Sequence, residues 1–191
     1  GIDEDSTRRV TELYQPVLTK GQFIPMTATA AEVTKTAENT FRDLQIAAAN
    51  QLALYCEAMG VNFYDVRAGI DSLKGEGITR AILWPGAGVG GHCLTKDTYH
   101  LERGIEIAGI SPLDYPKGHE SLYVLARQVN DFMPVHMFHL MLQGLNYVKK
   151  NIRSSKIALL GFSFLPNTDD ARNTPSEKFF RICSEHGALV H

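Results

Sequence analysis

The feature that most limits the fold is a stretch of 30 residues, Ala30 to Met59, that contains neither glycine nor proline. It is rich in alanine and leucine, which favour helix, and it ends at Gly60, a residue type typical of the position just after a helix. At about 1.5 Å per residue such a helix is roughly 45 Å long. The sequence therefore predicts one long helix that is shared between domains or between subunits.

Apolar spacing on either side of this element predicts further helices, over residues 3–17, 63–73, 97–108 and 112–148. Asn62 is expected to cap the second of these, and Pro116 and Pro134 are expected to interrupt or kink the last. Residues 22–26 form a short extended segment that its proline excludes from a central strand. Residues 74–93 carry six glycines and one proline and are predicted to be loop.

The C-terminal end follows a different pattern. Lys156-Ile-Ala-Leu-Leu-Gly161 is a short apolar run ending in glycine, which is typical of a buried parallel strand. A helix over residues 174–187 should follow, with Thr174 as N-cap and Pro175 in the first turn, and residues 189–191 should begin another strand. One βαβ unit does not make a sheet, so we expect a fragment. The predicted fold class is a mostly α central domain with long helices, followed by the truncated start of an α/β Rossmann-like domain.

Composition argues against several kinds of partner. A formal net charge of −2 disfavours nucleic acid or an anionic membrane surface. The sequence has no apolar run near the roughly 18–20 residues that cross a bilayer, and no signal-peptide pattern. Its three cysteines are scattered and form no CxxC pair, which predicts a reducing cytoplasm and disfavours a structural zinc site.

The most informative chemistry lies in the stretch Gly88-Val-Gly-Gly-His-Cys-Leu-Thr-Lys-Asp97. Glycines let backbone approach a ligand closely, and the pattern places Cys93 where a tight loop passes into a helix. A helix N-terminus and the nearby Lys96 both favour a thiolate, which makes Cys93 a candidate nucleophile. On this window alone the alternative is a small buried cysteine in a glycine turn.

Three blocks of sequence, taken together, resemble a known family. They are Ala31-Glu-Val-Thr-Lys-Thr-Ala-Glu-Asn-Thr-Phe-Arg42, Pro85-Gly-Ala-Gly-Val-Gly-Gly-His-Cys-Leu-Thr-Lys-Asp97 and Gly161-Phe-Ser-Phe-Leu-Pro-Asn-Thr-Asp-Asp-Ala-Arg172. Their order and separations resemble the central helix, the active-site cysteine loop and the opening of the third domain of the UDP-glucose/GDP-mannose dehydrogenase family. The Gly-Gly-His-Cys form most resembles members that act on UDP-N-acetylhexosamines such as UDP-N-acetylmannosamine, with UDP-glucose as the alternative substrate.

The resemblance implies oxidation of a sugar C6 alcohol to a carboxylate, in two hydride transfers to NAD and through a thioester on Cys93. Lys35 and Asn39, four apart on one helix face, would converge on the oxygen that becomes anionic. Asp97 would assist proton transfer or orient the attacking water. The alternatives are a solvated helix face for the first pair and a simple helix cap for Asp97.

The resemblance also implies binding residues around the cysteine. Arg172 is expected to reach the active-site cleft and contact the cofactor, whereas Leu165 stands where the family often has a substrate-contacting lysine. His92 could in principle form a dyad with Cys93, but the sugar pocket is the favoured role. The implied substrate-binding residues are Gly90, Gly91, His92 and Lys96, and no metal site is predicted.

Three parts of the chain follow from the resemblance: residues 1–28 as a remnant of the NAD-binding domain, 29–152 as the central dimerisation and active-site domain, and 153–191 as the start of the UDP-sugar-binding domain. We therefore expect the fragment to bind NAD poorly and to be inactive alone, and to form a homodimer through its central helices. A dimerisation module without catalysis is the second hypothesis. A cysteine hydrolase or transferase is disfavoured because no histidine has a recognisable orienting partner.

Other reactive or sulfur-containing side chains are predicted to be structural. A histidine pair three residues apart lacks a third ligand at metal-binding spacing, and three methionines repeat at helical spacing. Residues assigned to packing are Cys56, Cys183, His136, His139, Met133, Met137 and Met141.

Overall fold

A computed structural model of the chain describes residues 1–73, 82–107, 109 and 121–191. Its elements in chain order are α1 (Glu4–Tyr14), α2 (Ala28–Ala58), α3 (Phe63–Asp71), α4 (Asp97–Ile107), α5 (Leu122–Tyr147), β1 (Lys156–Ile157), α6 (Pro175–Glu185) and β2 (Leu189–Val190). The predicted fold class is confirmed: long helices are followed by a short βαβ unit.

Local capping sets the helix starts. Thr27 accepts a hydrogen bond from the Ala30 backbone N–H at 3.2 Å, so α2 begins two residues before the predicted start. Asn62 caps α3 as predicted, and Thr174 caps α6 with Pro175 in its first turn. Side chains that satisfy the free N–H groups of a first turn fix these boundaries.

The first helix is shorter than predicted. It ends at Tyr14 rather than near residue 17, because Pro16 has no backbone N–H with which to continue the helical hydrogen bonds. Its apolar stripe contacts no core in the described part of the chain, since Val10, Leu13 and Tyr14 are each at least half exposed. Residues 22–26 have no regular secondary structure.

Helix α5 is described from Leu122 onward and continues through Pro134 without interruption. The start predicted for it at residue 112, and the break predicted at Pro116, lie outside the described residues. The interruption predicted at Pro134 is therefore wrong, and the kink that was its alternative stays a prediction.

The helices pack in two groups. α2 contacts α3, α4 and α5, and α5 contacts α6. Cys56 belongs to the apolar cluster between α2 and α3, and Cys183 belongs to the cluster between α5 and α6, so both are buried as predicted. Met133 is buried in α5, and His136 lies 2.8 Å from the carboxylate of Glu57, a partner that the sequence did not indicate.

Strands β1 and β2 pair in parallel, with Lys156 opposite Leu189 and Ile157 opposite Val190. The predicted strand over residues 156–161 is therefore too long. Within the described residues β2 is the one strand beside β1. Leu160 lies beyond the paired residues, and its side chain is 93% exposed. No helix in the described ranges is long and apolar enough to cross a membrane.

Candidate active site

Cys93 lies in the turn that leads into α4, four residues before the helix begins at Asp97, so the predicted passage from loop to helix is found here. Its carbonyl oxygen accepts hydrogen bonds from the backbone N–H groups of Lys96 at 3.1 Å and Asp97 at 2.9 Å, which is the pattern of a residue at a helix N-terminus. Cys93 is exposed, whereas the other two cysteines of the chain are buried. The alternative of a buried structural thiol is therefore wrong.

A chain of polar side chains joins α2 to the first turn of α4. The Asn39 amide donates to one Asp97 carboxylate oxygen at 2.7 Å, and Lys96 Nζ donates to the other at 3.0 Å. Lys35 Nζ lies 3.4 Å from the Asn39 side-chain oxygen. The structure thus brings together Lys35, Asn39, Lys96 and Asp97, residues that are up to 62 positions apart in sequence.

The charged side chains in this hydrogen-bonded series differ in how far they are exposed to solvent. Burial raises the pKa of Asp97, but the hydrogen bonds from Asn39 and Lys96 outweigh burial and hold that pKa below its usual value. Asp97 is therefore a carboxylate at neutral pH although it is only 5% exposed. Lys35 is largely exposed, and its ammonium pairs with the Glu38 carboxylate at 3.2 Å as well as lying near Asn39.

The predicted glycine positions lie against the C-terminal part of the chain. The Gly91 N–H donates to the Arg172 carbonyl at 2.8 Å, and the Asn173 amide donates to the Gly91 carbonyl at 3.0 Å. A Cβ on Gly90 would lie 2.6 Å from Phe164 Cβ. Both backbone polar groups of Gly91 are thus engaged within the protein, and substrate binding by these two glycines stays a prediction.

Arg172 is held in an exposed ion pair with Asp170. Its Nε lies 2.9 and 3.0 Å from the two carboxylate oxygens, and this pairing lowers the pKa of Asp170 to about 2. Asp170 also raises the pKa of Arg172, with a smaller contribution from Cys93, which places the guanidinium within electrostatic range of the thiol. His92 is exposed, and its electrostatic interaction with Asp170 makes a small further contribution to lowering the pKa of that carboxyl.

A buried polar cluster, which the sequence did not indicate, lies between α2 and α5 next to the cysteine loop. Arg127 Nη1 donates to Asp43 at 2.6 Å, and the Asn130 amide donates to the same carboxylate at 2.8 Å. Asn50 in turn donates to Asn130 at 2.9 Å. All four side chains are at most 1% exposed. Burial raises the pKa of Asp43, while its contacts with Arg127 and Asn130 oppose that rise.

This cluster contacts the backbone on both sides of the cysteine loop. Asn50 accepts a hydrogen bond from the Gly86 N–H at 2.9 Å, and Arg127 Nη1 lies 3.5 Å from the Leu94 carbonyl oxygen. One signal was available in the sequence: Asp43 and Asn50 are polar positions in the alanine-rich half of the long helix. Their partners on α5 are 80 or more residues away, so the sequence alone did not reveal the pairing.

This arrangement fits nucleophilic chemistry. An accessible thiol at a helix N-terminus can add to an electrophilic carbon. The ammonium and amide groups of Lys35, Lys96 and Asn39 can stabilise a negative oxygen, and the Asp97 carboxylate can accept a proton. Within the described residues no group of three or more metal-ligating side chains occurs.

The described residues do not fit a dinucleotide. Gly86, Gly88 and Gly91 have the spacing of a phosphate-binding loop, but the residues before them form no strand. The space that a Cβ on Gly88 or Gly91 would occupy is filled by Pro134, Pro175 and Phe164.

Comparison with known proteins supplies the family context. Residues 29–121 match the central domain of the UDP-glucose/GDP-mannose dehydrogenase family. A UDP-N-acetyl-D-mannosamine dehydrogenase from Pyrococcus horikoshii is 38% identical over 184 residues, covering 95% of this chain and 40% of the relative. An NDP-N-acetyl-D-galactosaminuronic acid dehydrogenase from Ralstonia solanacearum is 31% identical over 181 residues, covering 95% of this chain and 38% of the relative.

A solved structure agrees in fold over the whole chain. The crystal structure of NDP-N-acetyl-D-galactosaminuronic acid dehydrogenase from Methanosarcina mazei Go1 superposes with a TM-score of 0.89 at 70% identity, covering 100% of this chain and 40% of that one. The chain thus spans about 40% of the length of the relatives that it matches.

Proposed function

Because the chain belongs to the UDP-glucose/GDP-mannose dehydrogenase family, we propose that it carries the active-site portion of an NAD-dependent nucleotide-sugar 6-dehydrogenase. The proposed reaction converts the C6 alcohol of a UDP-N-acetylhexosamine to a carboxylate in two hydride transfers. The observation that carries the proposal is the exposed Cys93 in the turn that leads into α4, next to the hydrogen-bonded chain of Lys35, Asn39 and Asp97.

Cys93 acts after the first oxidation. Loss of a hydride and a proton from the C6 alcohol gives an aldehyde. The thiolate adds to its carbon and the oxygen takes up a proton, which forms a thiohemiacetal. Loss of a second hydride from that carbon and of the hydroxyl proton gives a thioester, and water then releases the acid and the thiol. NAD, when bound, accepts each hydride.

The neighbouring side chains serve the oxygen and the protons. Lys35 and Asn39 stabilise the negative charge that develops on the C6 oxygen, since both can donate to one point from the same helix face. Asp97 accepts a proton from the attacking water, because its lowered pKa keeps it ionised. Lys96 fixes the orientation of the Asp97 carboxylate.

The hydride acceptor binds largely outside the described residues, which do not fit a dinucleotide. Arg172 is the proposed contact to the cofactor, since it is exposed and lies within electrostatic range of Cys93. We therefore expect the 191-residue chain alone to form no NADH. As the family resemblance implies, residues 1–28 are the proposed remnant of the cofactor domain and residues 153–191 the proposed start of the nucleotide-sugar domain.

The proposed substrate class is UDP-N-acetylhexosamine rather than one sugar. The relative from Pyrococcus is named for N-acetylmannosamine, and the Methanosarcina structure is named for N-acetylgalactosaminuronic acid. A uronic acid is the C6-oxidised form of its sugar, so the second name corresponds to N-acetylgalactosamine as substrate. N-acetylmannosamine and N-acetylgalactosamine share the acetamido group and differ in ring stereochemistry. Parallel assays with both UDP-sugars decide between them.

We also propose a homodimer through α2, in the cytoplasm. Val33, Phe41 and Tyr55 are each more than half exposed. At 100° per residue they lie within about 80° of one another around the helix, which makes one apolar stripe. This stripe is also what favours the second candidate function, a dimerisation module without catalysis.

The test replaces the nucleophile in the complete gene product that contains this chain. Cys93→Ala should abolish sustained NADH formation from a UDP-N-acetylhexosamine, while Cys56→Ala, which changes a buried thiol away from the site, should keep it. Sustained acid formation by the Cys93→Ala protein would show that no thioester on Cys93 is needed. Dimerisation with no NADH formation by the unaltered protein would favour the second candidate.

A further inference from the structure

The cysteine loop is held in place by a segment near the C-terminal end of the chain. Phe164 lies over Gly90 and Gly91 so closely that a Cβ on either glycine would come within 2.9 Å of it. The backbone N–H of Gly91 donates to the Arg172 carbonyl at 2.8 Å. Residues 164–173 therefore cover the glycines that immediately precede the proposed nucleophile.

Asn173 makes the side-chain contact in this segment. Its amide Nδ2 donates to the Gly91 carbonyl at 3.0 Å and lies 3.4 Å from Thr95 Oγ1. Thr95 Oγ1 itself donates to the Gly91 carbonyl at 2.9 Å. Asn173 and Thr95 thus close the turn that contains Cys93, from Gly91 on one side to Thr95 on the other.

The backbone at Asn173 does not require an asparagine. Its φ is +51°, in the left-handed region that glycine adopts at lower cost than any other residue. Asparagine tolerates this conformation and adds an amide group. The hydrogen bond to Gly91 is therefore what asparagine contributes at this position beyond its backbone.

We infer that Asn173 is a positioning residue, which fixes Cys93 in the turn that leads into α4 by holding the Gly91 carbonyl. The inference rests on the proposed role of Cys93 as the nucleophile. It assigns to the C-terminal segment a part in the reactivity of a thiol 80 residues earlier in the chain. Asn173 need not touch the substrate for this role.

The experiment compares two substitutions in the complete gene product. Asn173→Gly keeps the left-handed backbone and removes the amide. Asn167→Gly is the matched control, because Asn167 is an exposed asparagine of the same segment with a φ of +58°. The first readout is the rate at which iodoacetamide alkylates Cys93 without substrate, followed by mass spectrometry of the Cys93 peptide.

Asn173→Gly should slow the alkylation of Cys93 about fivefold relative to Asn167→Gly, roughly the effect of one lost hydrogen bond. The reason is that Cys93 is already exposed, so a loosened loop adds little access but removes the alignment of the thiol with the helix N-terminus. The second readout is NADH formation, in which kcat should fall by about the same factor while KM for the nucleotide sugar stays unchanged.

The outcomes separate this inference from the proposed function. Equal alkylation rates in the two variants overturn the role of Asn173, whatever the activity. A change in KM alone also overturns it, because that result indicates a direct contact between Asn173 and the sugar nucleotide. A slowed alkylation in a protein that never forms NADH supports the positioning role and counts against the dehydrogenase.

Discussion

Removal of the Asp43 carboxylate should destabilise the protein strongly. Asp43 is fully buried, and its partner Arg127 is 1% exposed with Nη1 at 2.6 Å from the carboxylate. Asp43→Ala leaves the guanidinium buried without this counter-charge. Breaking a buried ion pair from one side typically costs about 3–5 kcal/mol. The Asn130 amide also loses an acceptor, which adds about 1 kcal/mol.

A loss of this size is readily measured by urea denaturation. For a slope of about 2 kcal/mol per molar urea, a loss of about 4 kcal/mol lowers the midpoint by about 2 M. That is a large share of the roughly 5–15 kcal/mol by which folded proteins are stable. The midpoint should fall with little change in slope, because the substitution alters the folded core rather than the extent of unfolding.

A neighbouring carboxylate provides the matched control. Asp131 lies 3.1 Å from Arg127 Nη2, but its side chain is 56% exposed, so Asp131→Ala should cost at most about 1 kcal/mol. A double variant, Asp43→Ala with Arg127→Met, should recover stability relative to Asp43→Ala, since no charge then remains buried. If Asp43→Ala costs no more than Asp131→Ala, the burial argument is refuted.

Two further predictions concern the loop and its carboxylate. Gly90→Ala should lower the free energy of unfolding by about 1–3 kcal/mol in the same urea titration, because the added Cβ would lie 2.6 Å from Phe164. Gly21→Ala is the control: the space around Gly21 is open, so the free energy of unfolding should change by at most about 0.5 kcal/mol. Equal changes in the two variants would contradict the close packing at Gly90. The folded pKa of Asp97 lies below the usual value for an aspartate, so its stabilising contribution is present above that usual value and is lost as pH falls through the folded pKa. Asn39→Ala should therefore cost more at neutral pH than at pH values below the folded pKa of Asp97, and a cost that does not change with pH would exclude the Asn39–Asp97 hydrogen bond as its source.

The helices could be predicted from sequence because their determinants are local. Asn62 and Thr174 cap helices that begin one residue later, and the long helix lacks any breaker. The errors arose where a non-local factor or a single residue decided the boundary. Residues 158–161 were predicted to be strand from their apolar character, but β2 pairs with β1 over two residues. Beyond them the Leu159 N–H still donates to the His191 carbonyl at 2.8 Å, after which the chain leaves the strand.

The site divides in the same way. Lys35 and Asn39 are neighbours on one turn of α2, as their spacing predicts. Cys93 and Asp97 are joined by a backbone hydrogen bond across the turn that leads into α4, which their spacing also predicts. The sequence did not reveal which groups lie behind and above the loop. Those contacts join residues 43 and 127, or 91 and 173, and a pairing at such separations leaves no periodic pattern in the chain.

The glycine run shows why a motif alone is ambiguous. The same absence of side chains permits a ligand or another part of the chain to approach, and at Gly90 and Gly91 the space is taken by Phe164. Intolerance to substitution at these positions is therefore expected even if neither glycine touches the substrate. Only a measurement that separates KM from thiol reactivity can distinguish the two explanations, because a displaced loop changes the thiol whereas a lost ligand contact changes binding.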